Sequence, residues 1–166
     1  MIKLSRTSKL GTTSWSLQAG APKDGGTCPG ALKPNGDYVD SCAGCYARFG
    51  GTYHFPATKA VRAHNKEDWK RSDWIADMVH ALRKQPHHRW NDSGDLYSLE
   101  LAEKVYQVMV ATPNTKHWLP TRQHKFPKFQ AVLAKMQALD NVMVRPSSDA
   151  VDGSYVPGVH GSTILP

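Results

Sequence analysis

Between residues 57 and 145 the apolar residues switch repeatedly from helical to strand-like spacing, and few folds accept that pattern. Residues 57–70 and 73–84 read as helices. In the second, Trp74, Ile75, Met78, Val79 and Leu82 recur at steps of one, three and four, which gathers them on one face. Asp73 near its start and Arg83 and Lys84 at its end suit the helix dipole, and Pro86 stops it. Residues 87–91 then read as a strand. The turn NDSGDLYS follows, with Ser98 as the expected N-cap of a helix over 99–111. Its inward face is Leu101, Val105, Val108 and Met109. A strand is expected at 116–121, and a helix at 126–139 with Phe129, Val132, Leu133, Met136 and Leu139 inward. A last strand is expected at 141–145. Upstream, residues 12–19 (TTSWSLQA) suit a first strand. The tail adds one or two short strand candidates, VDGSYV and HGSTIL.

Strand, helices, strand, helix, strand, helix, strand is the order that right-handed crossovers turn into a parallel sheet. A closed eight-stranded β/α barrel takes about 250 residues; this sequence has 166. The expected fold is therefore one α/β domain over 1–166, either a partial (β/α) barrel or an open parallel sheet of four to five β/α units. No apolar run reaches membrane-spanning length. Met1–Leu10 has no apolar stretch of the kind a secretory signal needs.

Between the first strand and the first helix lies a segment unlike the rest. Residues 20–45 hold six of the 13 glycines and all three cysteines, and read as a long functional loop extending to about 46. The spacing is C-x13-C-x2-C: Cys28, Cys42, Cys45. An odd count of clustered thiols points to metal or redox chemistry rather than a disulfide framework. Two metal readings stand beside that of three unrelated buried thiols. Three thiolates hold a 4Fe–4S cluster through three irons and leave the fourth iron free. Alternatively, His54 completes a Cys3His zinc site.

Parallel β/α folds collect their sites at the carboxyl ends of strands. Those ends here are the cysteine loop, then Asn91-Asp92-Ser93-Gly94-Asp95, then Thr121-Arg122-Gln123-His124, then Arg145-Pro146-Ser147-Ser148-Asp149. Arg122 is a candidate for bidentate pairing with a carboxylate or phosphate, and His124 is expected beside it at a substrate mouth. Trp15, Trp90 and Trp118 fall on expected strands, as core residues or as stacking surfaces for a base. Lys plus Arg exceed Asp plus Glu by 21 to 14, a net charge of +7. That balance favours a nucleic acid or nucleotide partner. Lys59, Arg62, Lys66, Lys70 and Arg71 form a basic run, either a solvated face or a phosphate-binding one.

A three-cysteine loop directly after the first strand resembles the radical S-adenosylmethionine (SAM) superfamily. That resemblance implies a 4Fe–4S cluster on Cys28, Cys42 and Cys45, with SAM on the open iron, cleaved to a 5′-deoxyadenosyl radical. It implies that Ser93-Gly94-Asp95 stands where the superfamily contacts the SAM amino group; a turn aspartate is the other reading of Asp95. It also implies that Ser147, Ser148 and Asp149 stand near the SAM ribose. The spacing departs from the superfamily's common C-x3-C-x2-C, and Gly44 stands where an aromatic is usual. A second resemblance covers more of the chain: SWSLQAG, TCPGA, CAGCYA, RWNDSGDLYS and LPTR, from about residue 12 to about 160, are similar to the phage gene product 88 family. It implies phage origin, hence work in the host cytoplasm, and a radical-SAM-like site. So short a chain predicts an open site mouth, closed by a large partner, a second subunit or a missing C-terminal segment. The other function is a non-enzymatic protein, stabilised by zinc or a cluster, that binds nucleic acid or a host protein.

Overall fold

The computed structural model describes residues 1–7, 10–156 and 161–165. Its frame is a five-stranded sheet in sequential order: β1 (Ser5–Arg6), β2 (Thr13–Trp15), β3 (His87–Trp90), β4 (Lys116–Thr121) and β5 (Val142–Pro146). Strands β2 to β5 are parallel, as expected. β1 is a short antiparallel edge strand on β2, absent from the sequence reading because two residues carry no period. The sheet is mixed and open rather than purely parallel, and no closed barrel forms.

The helices are α1 (Asp40–Ala43), α2 (Tyr46–Phe49), α3 (Pro56–Asp68), α4 (Trp74–Leu82), α5 (Leu99–Ala111) and α6 (Pro127–Gln137). Ser98 caps α5, its hydroxyl accepting from the Leu101 N–H. Pro56 and Pro127 open α3 and α6, where a missing N–H costs nothing. The expected inward faces are buried: Trp74, Met78 and Leu82 on α4; Leu101, Val105, Val108 and Met109 on α5; Phe129, Val132, Leu133 and Met136 on α6.

Sheet register explains how one face reaches that core and the other reaches the site. Trp15 pairs with Trp90, and both are fully buried among the helices. Their rings meet edge to face, as do those of Trp15 and Trp74. Neither Trp15 nor Trp90 is open to a base. One residue back, Ser14, Arg89, Trp118 and Met143 form a row across four strands. By strand alternation that row points away from the helices.

Three parts of the chain differ from expectation. β2 is three residues long, because residues 16–19 leave the ladder: the Leu17 N–H donates to the Ser93 carbonyl. The cysteine segment is not plain loop; it contains 3₁₀ turns at Pro22–Asp24 and Pro29–Ala31, and then α1. The tail forms no strand over 151–156, where VDGSYV was expected. Of HGSTIL, His160 lies outside the described residues, and Ser162 makes a single bridge to Ser147. Within the described residues no helix is long and apolar enough to cross a membrane.

Candidate cysteine-lined site

Three segments far apart in sequence close on one cavity of about 430 Å³ at the carboxyl end of the sheet. The first is the cysteine segment. Cys28 N–H donates to the Gly20 carbonyl at 2.9 Å, which folds the Cys28 turn back on the chain after β2. Val39 accepts from the N–H groups of Cys42 and Ala43, and starts the short helix that carries Cys42. All three cysteines line the cavity as free thiols. Burial pushes the Cys28 thiol up to about 12, and the nearby Asp95 adds to the shift. Burial also raises Cys42, opposed by the Arg122 guanidinium. Both thiols are therefore protonated at neutral pH, and any metal bound there must displace protons.

The second segment follows β3. Ser93, Gly94 and Asp95 all line the cavity. Gly94 has φ 77°, and a Cβ there would lie 2.6 Å from both Leu17 Cβ and Thr27 Oγ1. Only glycine fits where this turn crosses the start of the cysteine segment. Ser93 Oγ donates to the Leu17 carbonyl at 2.7 Å. Asp95 is buried with its carboxylate well satisfied. Oδ1 accepts from Thr121 Oγ1 (2.7 Å) and the Leu96 N–H (2.8 Å); Oδ2 accepts from the Arg122 N–H (2.8 Å). Burial raises its pKa and these bonds oppose the rise. Asp95 thus organises a turn, as one of its two readings expects, and it lines the cavity.

The third segment joins the ends of β4 and β5. Arg122 Nη2 donates to Ser41 Oγ (2.7 Å) and to the Ser148 carbonyl (2.8 Å), and Nε reaches Asp149 Oδ1 at 3.3 Å. It ties the cysteine segment to the end of β5. A Cβ on Gly30 would lie 2.6 Å from Arg122 Cβ, so Gly30 permits that close approach. Ser147 and Ser148 line the cavity beside Arg122.

Several expected residues stand elsewhere. Asp149 does not line this cavity: its carboxylate is held on the outer side by Arg122 and by Lys125 Nζ at 2.6 Å. His124 does not line it either, because the 3₁₀ turn at Gln123–Lys125 brings its ring toward the Thr121 carbonyl (3.3 Å). His54 is exposed on the turn before α3 and away from the cavity lining, so the Cys3His arrangement is not assembled. The basic run is broken up. Arg62 is buried over the Tyr53 ring, and Arg71 is engaged by Asp68, Asp73 and Asp77. The sequence reading gave no role to Ser41 or Arg89, and placed Asn91 at the end of β3 without a role of its own. A lone serine in a loop gives no signal, but alternation along β3 would have placed Arg89 opposite the core face.

The gene product 88 family model matches residues 2–163, nearly the whole chain. The chain belongs to the gene product 88 family. That membership agrees with the phage resemblance carried by its separate motifs. No curated protein and no solved structure gives a match. The family description names no reaction, cofactor or substrate.

Proposed function

We propose that this gene product 88 protein binds a 4Fe–4S cluster through Cys28, Cys42 and Cys45 and is a minimal radical-SAM-like enzyme acting on a nucleotide or nucleic acid. The supporting observation is convergence: three thiols from two separate turns share one cavity with the ends of β3, β4 and β5. The sequential order of the parallel strands β2 to β5 is compatible with that reading.

The cluster and the single ion make different demands on the donor set. Among the described residues, no group of three or more His, Cys, Asp or Glu side chains is gathered closely enough to hold one metal ion. A zinc ion would draw its thiolates to about 2.3 Å from one point. A cubane spreads three thiolates over three irons. The exposed His54 supplies no fourth ligand.

The chemistry such a group supplies when bound is one-electron cleavage of a carbon–sulfur bond of SAM. The chain's own residues do the rest. Arg122 sets positive charge beside Cys42 and favours its thiolate. Cys42 is buried and Cys28 and Cys45 are half-buried, which limits water at the sulfurs. Asp95 Oδ2 accepts a single hydrogen bond, which leaves it acceptor capacity toward an ammonium group. Ser147 and Ser148 add hydroxyls on the β5 side.

Anaerobic reconstitution with iron and sulfide tests the reading. The expected result is a brown protein with about four irons per chain. With dithionite and SAM it then yields 5′-deoxyadenosine. A colourless protein holding one zinc would overturn the cluster. A fully loaded protein that leaves SAM intact would overturn the enzyme.

A further inference from the structure

Three residues of the cavity lining that the cysteine chemistry does not use share a property. Arg89, Asn91 and Trp118 all line the cavity, and each carries a buried polar atom with no hydrogen-bond partner: Arg89 Nε, both amide atoms of Asn91, and Trp118 Nε1. Buried polar groups are almost always paired, so three such residues on one wall call for an explanation. Arg89 and Trp118 are register partners on β3 and β4, and the guanidinium lies 4.7 Å from the Trp118 ring centre. A guanidinium over an aromatic face can still fork its N–H edge onto an anion. Asn91 is 4% exposed and has φ 56°, a left-handed backbone that asparagine tolerates better than most residues. Its N–H is held by the Trp15 carbonyl at 2.8 Å, yet its carboxamide is unused.

We propose that Arg89, Asn91 and Trp118 form the binding subsite for a nucleotide. Three of the four unpaired atoms are donors and one is an acceptor. A phosphate takes the donors of Arg89 and Trp118. A carboxamide offering both N–H and C=O reads the paired donor and acceptor of a base edge, as asparagine does with adenine. The subsite deepens the reading above, on which it rests for calling the nucleotide a substrate. Binding itself needs neither cluster nor SAM.

The test is therefore run on the metal-free full-length chain by titration calorimetry with AMP, SAM and inorganic phosphate. AMP should bind at least about tenfold more tightly than phosphate, the discrimination one good bidentate contact supplies. Asn91→Gly keeps the left-handed backbone and removes the carboxamide; it should erase that difference and leave phosphate binding unchanged. Arg89→Gln should weaken both. Circular dichroism and a thermal melt establish that the variants fold. Should Asn91→Gly prove unfolded, Asn91→Asp, which keeps the shape and loses the amide donor, is read in its place. The proposal is overturned if AMP binds no better than phosphate or SAM, or if the folded Asn91 variant binds AMP like the parent. Failure of cluster assembly alongside tight AMP binding would sink the enzyme reading and leave the subsite standing.

Discussion

Asp95 shows how much one side chain can hold. It sits just after β3, yet its carboxylate accepts from Thr121 and from the Arg122 N–H at the end of β4. Its own N–H donates to Thr27 Oγ1 in the cysteine segment at 3.3 Å. Replacing the carboxylate with a carboxamide puts an NH₂ group against donors. Asp95→Asn should therefore destabilise the metal-free protein by about 1–3 kcal/mol, the cost of a buried unsatisfied group, as read by urea unfolding. An unchanged midpoint would mean the carboxylate organises nothing. That Asp95 lies at a strand end was legible from the hydrophobic pattern. Its partner Thr121 was not, because the two are 26 residues apart and only strand pairing joins them.

Among the elements, helix α5 and strand β4 run over the residues that periodicity and capping chemistry predict. Each carries a strong local signal at both ends. β2 was overestimated because residues 16–19 look extended in sequence but turn to meet the end of β3. The adjacent strands β3 and β4 carry a buried histidine pair that no local pattern announces. His88 and His117 are buried 6.1 Å apart between ring centres. Trp90 Nε1 donates to His117 Nδ1 at 3.2 Å, which requires the neutral ring; Thr112 Oγ1 lies 2.8 Å from Nε2. Burial lowers His88 to about 3 and His117 to about 4, from the ordinary imidazole value of about 6.5. The unfolded chain therefore binds these protons first. Their stabilisation is complete above about pH 6.5 and is lost as pH falls toward 4. At pH 5 each should cost about 2 kcal/mol. Thermal melts at pH 7.5 and pH 5 should show the drop, and His117→Asn should reduce it.

In the molecule as a whole, the cysteine segment and the main core are separate bodies of packing. The core lies between the sheet and helices α4 to α6. Ala31, Val39 and Cys42 form a small cluster of their own, with Cys28 and Tyr38 against it. The fold should thus stand without metal. Cys28→Ser should abolish iron uptake while shifting the metal-free melting temperature by no more than about 4 °C, the equivalent of roughly 1 kcal/mol at this size. Loading the parent chain should raise its melting temperature, because the group binds only the folded state. A Cys28→Ser chain that is unfolded by circular dichroism would show instead that the cysteine segment is part of the folding unit.

The sequence by itself determined the alternation of elements, the buried helix faces, the parallel order of β2 to β5 and the cysteine segment as a stretch apart from the helix-strand pattern. Each of these is written locally, in spacing, caps and turn residues. Tertiary structure decided which strand-end residues share a cavity. It brought Ser41 to Arg122, and it turned Asp149, His124 and His54 away. It also set Arg89 beside Trp118 on the face without helices. Those outcomes depend on register and on the path of the glycine-rich segment, which join residues that no local pattern relates.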